Sequence, residues 1–246
     1  MAHQIELHQF LFSNFCEKVR WTLDYHGMAY DSVEYLPFWH VRPVKRLSGQ
    51  SAVPVIRIGE QIQPNSADIV AMLDSMGEKD SLIPSEEPGR QHALEWQRRL
   101  DDSGATIRGA MFHDFMVDRR FFFRVITSGQ QGAFRLRMYG ATFVMIFPLM
   151  KKILNKRAPD AAALREQVMV LLDEVEQAQS EAGYLAGDSF SIADLTAASL
   201  LYPLFFPSGT PASEVAESHE CGRMWLARWR EHPAGDYVRR MYRDHR

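Results

Sequence analysis

Ser13 and Cys16 stand three residues apart, where an apolar run gives way to helical spacing. Ser13 suits a helix N-cap, and Glu17 in the first turn suits the positive end of the helix dipole. The unpaired N–H groups of such a turn favour an anion, and a serine hydroxyl beside them can donate one more hydrogen bond to it. A thiolate is one anion that this arrangement would stabilise. Cys16 is the rival nucleophile. Exposed, it would exchange disulfides; partly buried in the first helical turn, it would be inert packing. Asn65 and Ser66, with Asp68 behind them, open a second helix and offer the same donors to a carboxylate. Ser191-Ile192-Ala193-Asp194 reads as a capping box with Phe190 and Leu195 as its hydrophobic staple, a structural device rather than a chemical one. The nine histidines are scattered. No His-Glu-x-x-His, zinc-spaced cysteine pair, glycine-rich phosphate loop or Gly-x-Ser-x-Gly elbow occurs, so no metal is expected.

These residues need elements to hold them. Ile5 to Leu7 with Phe10 to Phe12 read as a strand, followed by a helix carrying Val19, Leu23 and Tyr25 that stops at Gly27. Residues 30–36 alternate as a second strand. Residues 37–49 read as a loop or broken helix. A strand opening at Val53-Pro54 turns at Gly59-Glu60 into a short return strand, and the Asn65-Ser66 helix follows. Residues 77–90, rich in Gly, Pro, Ser and acidic residues, look like a linker. All later segments have helical spacing: 90–108, 118–126, 134–154, 161–182, 191–201, 221–230 and 234–243. The order is a small α/β unit followed by a larger all-helical one.

Composition agrees with a folded chain. Of 246 residues, 46% are hydrophobic and 24% charged, which excludes a disordered protein. The net charge of −3 leaves no footprint for nucleic acid. Two cysteines cannot build a disulfide framework, the start lacks a signal-peptide pattern and no apolar run is long enough to span a membrane. A cytoplasmic protein is the expectation. Lys151-Lys152, Lys156-Arg157 and the arginine pairs near the C-terminus read first as solvated helix faces, with a membrane-surface or partner-docking role as the alternative.

Ser13 to Arg20, then Ser51-Ala52-Val53-Pro54-Val55 with Asn65-Ser66-Ala67-Asp68, then Gly187 to Leu195, occur in this order and at these separations. Together they resemble the cytosolic glutathione transferase superfamily over nearly the whole chain. The resemblance implies an α+β fold: a thioredoxin-like, glutathione-binding domain at 3–78 followed by an all-α domain at 86–246. It implies that Ser13 activates the thiol of glutathione, the co-substrate, and that the turn at Val53 and Pro54 is a cis-proline turn pairing with the peptide backbone. Asn65 and Ser66 would hold the γ-glutamyl end; Asn65 departs from the more usual Glu or Gln and shortens the reach. His40, Arg42, Lys45 and Gln50 are candidates for the glycyl carboxylate. Phe15, Phe112, Phe115, Met116, Met138 and Tyr139 would face a small hydrophobic electrophile between the domains, and Arg108 or His113 would suit an acidic one. A homodimer is the implied state. Two alternatives stand beside conjugation: a glutathione-dependent thiol-disulfide oxidoreductase using Cys16, and a non-catalytic interaction protein on the same fold.

Overall fold

The computed structural model describes residues 4–157 and 160–246. Its first part holds β1 (Ile5–Gln9), α1 (Asn14–Tyr25), β2 (Asp31–Glu34), α2 (Val41–Ser48), β3 (Val55–Ile58), β4 (Gln61–Pro64) and α3 (Ser66–Met76). The four strands form one mixed sheet in the order β2-β1-β3-β4. β1 runs parallel to β2 and antiparallel to β3, which is antiparallel to β4. Helices follow: α4 (Gly89–Phe115), α5 (Arg119–Ile126), α6 (Ala133–Arg157), α7 (Ala161–Gln177), α8 (Ile192–Phe205), α9 (Ser213–Ser218), α10 (Glu220–Trp229) and α11 (Ala234–His245). This is a thioredoxin-like α/β domain followed by a helical domain. Among the described residues no helix is long and apolar enough to cross a membrane.

Several boundaries differ from the sequence pattern for local reasons. β3 starts at Val55 rather than Val53, because Pro54 has no N–H for a ladder; the Val53-Pro54 bond is cis. Residues 41–48 form a real helix ended by Gly49 at φ 78°, a left-handed position that suits glycine. α4 runs on to Phe115, past the expected 108. α7 stops at Gln177, five residues before the expected end. α8 continues through Pro203 to Phe205, and Trp225 Nε1 bonds the Pro203 carbonyl at 2.7 Å. The short α9 has too few residues to show a periodicity.

α8 lies at the centre of the helical domain and every one of its residues is buried. It packs on α1, α4 and α11. Such a helix shows no amphipathic stripe, and its start is set by its cap instead. The Ser191 hydroxyl accepts from Ala193 N, and Asp194 accepts from Ser191 N at 3.0 Å, from Leu185 N at 2.9 Å and from the Tyr237 hydroxyl at 2.8 Å. Asp194 thus ties the loop before α8 and the last helix to one carboxylate. Replacing Asp194 with Ala strands these buried donors. The expected cost is at least about 3 kcal/mol, read as a lower urea midpoint at neutral pH.

Candidate active site

The sheet register gathers the chemistry at one edge. His8 at the end of β1 lies opposite Val55 at the start of β3, and Val55 lies opposite Pro64 at the end of β4. β2 is parallel to β1, so its exit lies at the same edge. The β1–α1 turn, residues 35–40, Val53-Pro54 and Asn65-Ser66 therefore share one end of the sheet. The N-termini of both α1 and α3 point there, which brings two positive helix ends together.

At this end a cleft of about 300 Å³ opens between the domains. Ser13, His40, Ser51 and Val53 line it from the α/β domain. Phe10, Phe12 and Phe15 form its near apolar wall; Ile107, Met111 and Phe112 of α4, with Phe122, Ile126 and Met150, form the far wall. Arg108 lies among the lining residues. Phe15 enters because Gly104 of α4 lets it: a Cβ at Gly104 would fall on the Phe15 ring.

Ser13 has the extended backbone of an N-cap (φ −82°, ψ 126°) and its Oγ accepts from Cys16 N at 3.4 Å. Accepting uses a lone pair and leaves the hydroxyl proton to donate. Asn65 caps α3 with its Oδ1 accepting from Ala67 N at 3.0 Å, at a φ of 74° that asparagine tolerates better than most residues. Ser66 is buried as the first residue of that helix. His40 meets Phe10 edge-on at 4.7 Å. Burial lowers its imidazole pKa, and the Ser51 and Leu36 carbonyls offset that only partly. Its buried Nδ1 has no hydrogen bond of good geometry.

The other expected residues lie elsewhere. Phe115 is fully buried against Phe121, Phe206 and Trp225, so it is core of the helical domain and not cleft wall. Met116 is buried just beyond the end of α4. Tyr139 is buried on α6 against Trp39 and Phe123. Phe115 shares a face with Phe112 but sits one turn further along, at the very end of α4, where Phe121, Phe206 and Trp225 surround it instead of the cleft. Lys45 is exposed on α2 and Gln50 is half-buried after it; neither lines the cleft.

Cys16 is fully buried. Burial pushes its thiol pKa up, outweighing the help of Arg20 and the Ser13 hydroxyl. Two groups among the described residues bring three ligand types together, Asp118-His219-Cys221 and Asp173-Glu176-His232. In each, the histidine Nδ1 accepts from a backbone N–H and its Nε2 faces the aspartate.

Nothing in the spacing assigned Arg20, Asn14 or Tyr202 the task of holding the β1–α1 turn. Arg20 is buried and donates to Gln9 Oε1, to the Phe10 carbonyl at 3.5 Å and to the Leu11 carbonyl at 3.0 Å. From α8, the Tyr202 hydroxyl donates to the Phe12 carbonyl at 2.8 Å, and Asn14 Nδ2 donates to the Leu200 carbonyl at 3.2 Å. Glu17 pairs with Arg20 at 2.6 Å and Arg246 at 2.9 Å. Burial by itself would raise the Glu17 pKa, but Arg20 and Arg246 outweigh it and hold the carboxyl below the usual range.

The sequence matches the family of glutathione S-transferase N-terminal domains over residues 7–79 and that of glutathione S-transferase C-terminal domains over residues 138–232. The chain belongs to the cytosolic glutathione transferase superfamily. Its fold is similar to that of the β-etherase LigF from Sphingobium sp. strain SYK-6, with a TM-score of 0.60 and 19% identity over 96% of this chain and 98% of that one. A glutathione S-transferase from Rhodospirillum rubrum F11 gives 0.58 and 17% over 96% and 91%. One from Methylobacterium radiotolerans JCM 2831, solved in complex with glutathione sulfonate, gives 0.56 and 19% over 96% and 94%. No curated protein matches the sequence.

A lowered carboxylate pKa stabilises the fold above its unfolded value of about 4.3, and the contribution is lost as pH falls through the folded value. Urea midpoints measured from pH 7 to pH 3 should therefore decline on the acid side. In Glu17→Gln the protein should be weaker at neutral pH and its acid decline shallower.

Proposed function

We propose that this protein transfers glutathione to a small hydrophobic electrophile. The observation that carries the reading is the position of Ser13: an N-cap hydroxyl at the mouth of α1, in the wall of a cleft whose far side is apolar. Glutathione's sulfur would sit at that mouth as a thiolate, stabilised by the Ser13 O–H and the helix N-terminus. Val53 would pair with the cysteinyl backbone beside Pro54. Asn65 and Ser66, at the second helix N-terminus, would take the γ-glutamyl carboxylate. Of the four candidates for the glycyl end, His40 is the one on the cleft wall.

The thiol proton leaves to solvent as the complex forms. The sulfur lone pair then forms a carbon–sulfur bond while the leaving group departs with the electron pair of its own bond. Phe15, Phe112 and their neighbours hold the electrophile and exclude water. The solved relative bound to glutathione sulfonate supports glutathione as the co-substrate. The family's usual two-fold pairing is part of the same proposal. Disulfide exchange through Cys16 is disfavoured, because a buried thiol with a raised pKa supplies little thiolate.

Absorbance titration of the bound thiolate tests this. In the native complex the sulfur should ionise well below the free-thiol value of ~8.5. In Ser13→Ala the titration should move back toward that value, with kcat/KM for a model electrophile falling about 10–100-fold. An unchanged titration removes Ser13 from the mechanism. Failure of the protein to bind glutathione favours the interaction-protein reading.

A further inference from the structure

α6 presents two unlike faces. Its inner side is buried: Phe143 and Tyr139 pack on Phe122 and Phe123 of α5, and Met150 reaches the cleft. Its outer side is apolar and wet. Phe134 is 78% exposed, Met145 74%, and Met138 and Leu149 each 52%. With Ala141 between them, these residues recur at helical spacing and form one stripe roughly 22 Å long on a single flank. None of them lines the cleft. A contiguous apolar strip of this kind marks an interaction face.

Charge identifies what covers it. The protein as a whole is slightly acidic, yet every charged residue from 119 to 157 is basic. Exposed Lys152 and Lys156 continue the apolar stripe on its own flank toward the end of α6, with Lys151 beside them, and exposed Arg137 borders its other end. Basic residues suit the C-terminal end of any helix. That preference does not account for phenylalanine, methionine and leucine held in water on the same flank. Self-pairing of the stripe is disfavoured, because antiparallel copies set Arg137 against the lysines and parallel copies set lysine against lysine. An apolar ridge on one helix, bounded by cations at both ends, matches the plane of a bilayer that presents acyl chains between anionic headgroups.

We propose that the outer face of α6 docks this protein peripherally on anionic lipid membranes, with the Phe134–Leu149 stripe entering the headgroup boundary and Arg137, Lys152 and Lys156 meeting lipid phosphates. The docking is independent of the chemistry at the cleft.

Sedimentation of the full-length protein with vesicles tests it. Vesicles of equal parts phosphatidylglycerol and phosphatidylcholine should carry the protein down at low salt, and vesicles of phosphatidylcholine alone should not. Lys152→Glu with Lys156→Glu should lower the partition coefficient at least about tenfold, and Met145→Ser with Leu149→Ser should lower it comparably. All four positions are exposed, so melting temperature and glutathione binding should be unchanged in both variants; their retention excludes misfolding as the cause. No sedimentation of the native protein with the anionic vesicles overturns the proposal. So does sedimentation that ignores both pairs of substitutions. A shift from dimer to monomer in Met145→Ser with Leu149→Ser, without vesicle binding by the native protein, would assign the face to a second copy. Retention on immobilised polyglutamate without vesicle binding would assign it to an acidic protein partner.

Discussion

Arg20 holds the turn on which the cleft is built. Its guanidinium is buried and cannot shed its charge, so its donors must all find acceptors inside the protein. It finds them in Gln9, in the carbonyls of Phe10 and Leu11, and in Glu17. Those carbonyls belong to the segment that leads into Ser13. The planar fork sets their directions, and a lysine could not reproduce that geometry. Glu17 is buried in turn and needs a second cation, which Arg246 supplies from the far end of the chain. The first helix is therefore locked by the last residue, and the cap at its mouth is positioned by charges that never see the ligand.

The two domains are fastened to each other around the same turn. Lys18 is completely buried and reaches Asp101 of α4 at 2.8 Å; Trp21 Nε1 reaches the His245 carbonyl at 3.0 Å. Tyr202 and Asn14 bridge α8 to residues 12–14. Breaking one partner of such a buried pair leaves an uncompensated charge, which makes the relative placement of the domains stiff. A stiff interface matters because the cleft walls come from both sides. The polar, anion-favouring groups and the near apolar wall of Phe10, Phe12 and Phe15 belong to the α/β domain, and the far apolar wall belongs to α4, α5 and α6. A thiolate held at the first and an electrophile held at the second meet only if that spacing is kept.

α6 joins the interior to the surface. Met150 lines the cleft while Leu149, one residue and 100° away, faces solvent. The burial of one face explains its aromatic run, and the cationic ends distinguish its outer face from an ordinary solvated helix.

The sequence by itself determined whatever depends on neighbours along the chain. The caps at Ser13, Asn65 and Ser191, the stop at Gly27 and the change from strand to helical spacing near residue 90 are short-range preferences. So the α/β-then-helical order and the Ser13 cap were legible. The cleft was less so. Phe112 reaches it, while Phe115 and Met116, one turn further along the same face at the end of α4, are covered by α5, α10 and Phe206. Arg20, Tyr202 and Gly104 carried no signal, since each acts through a partner tens to hundreds of positions away or, for Arg20, through backbone carbonyls with no side-chain signature. Tertiary structure alone decided which strand ends met, which buried charge found its partner and which apolar face was left in water, because those outcomes depend on distances in space that composition and periodicity do not encode.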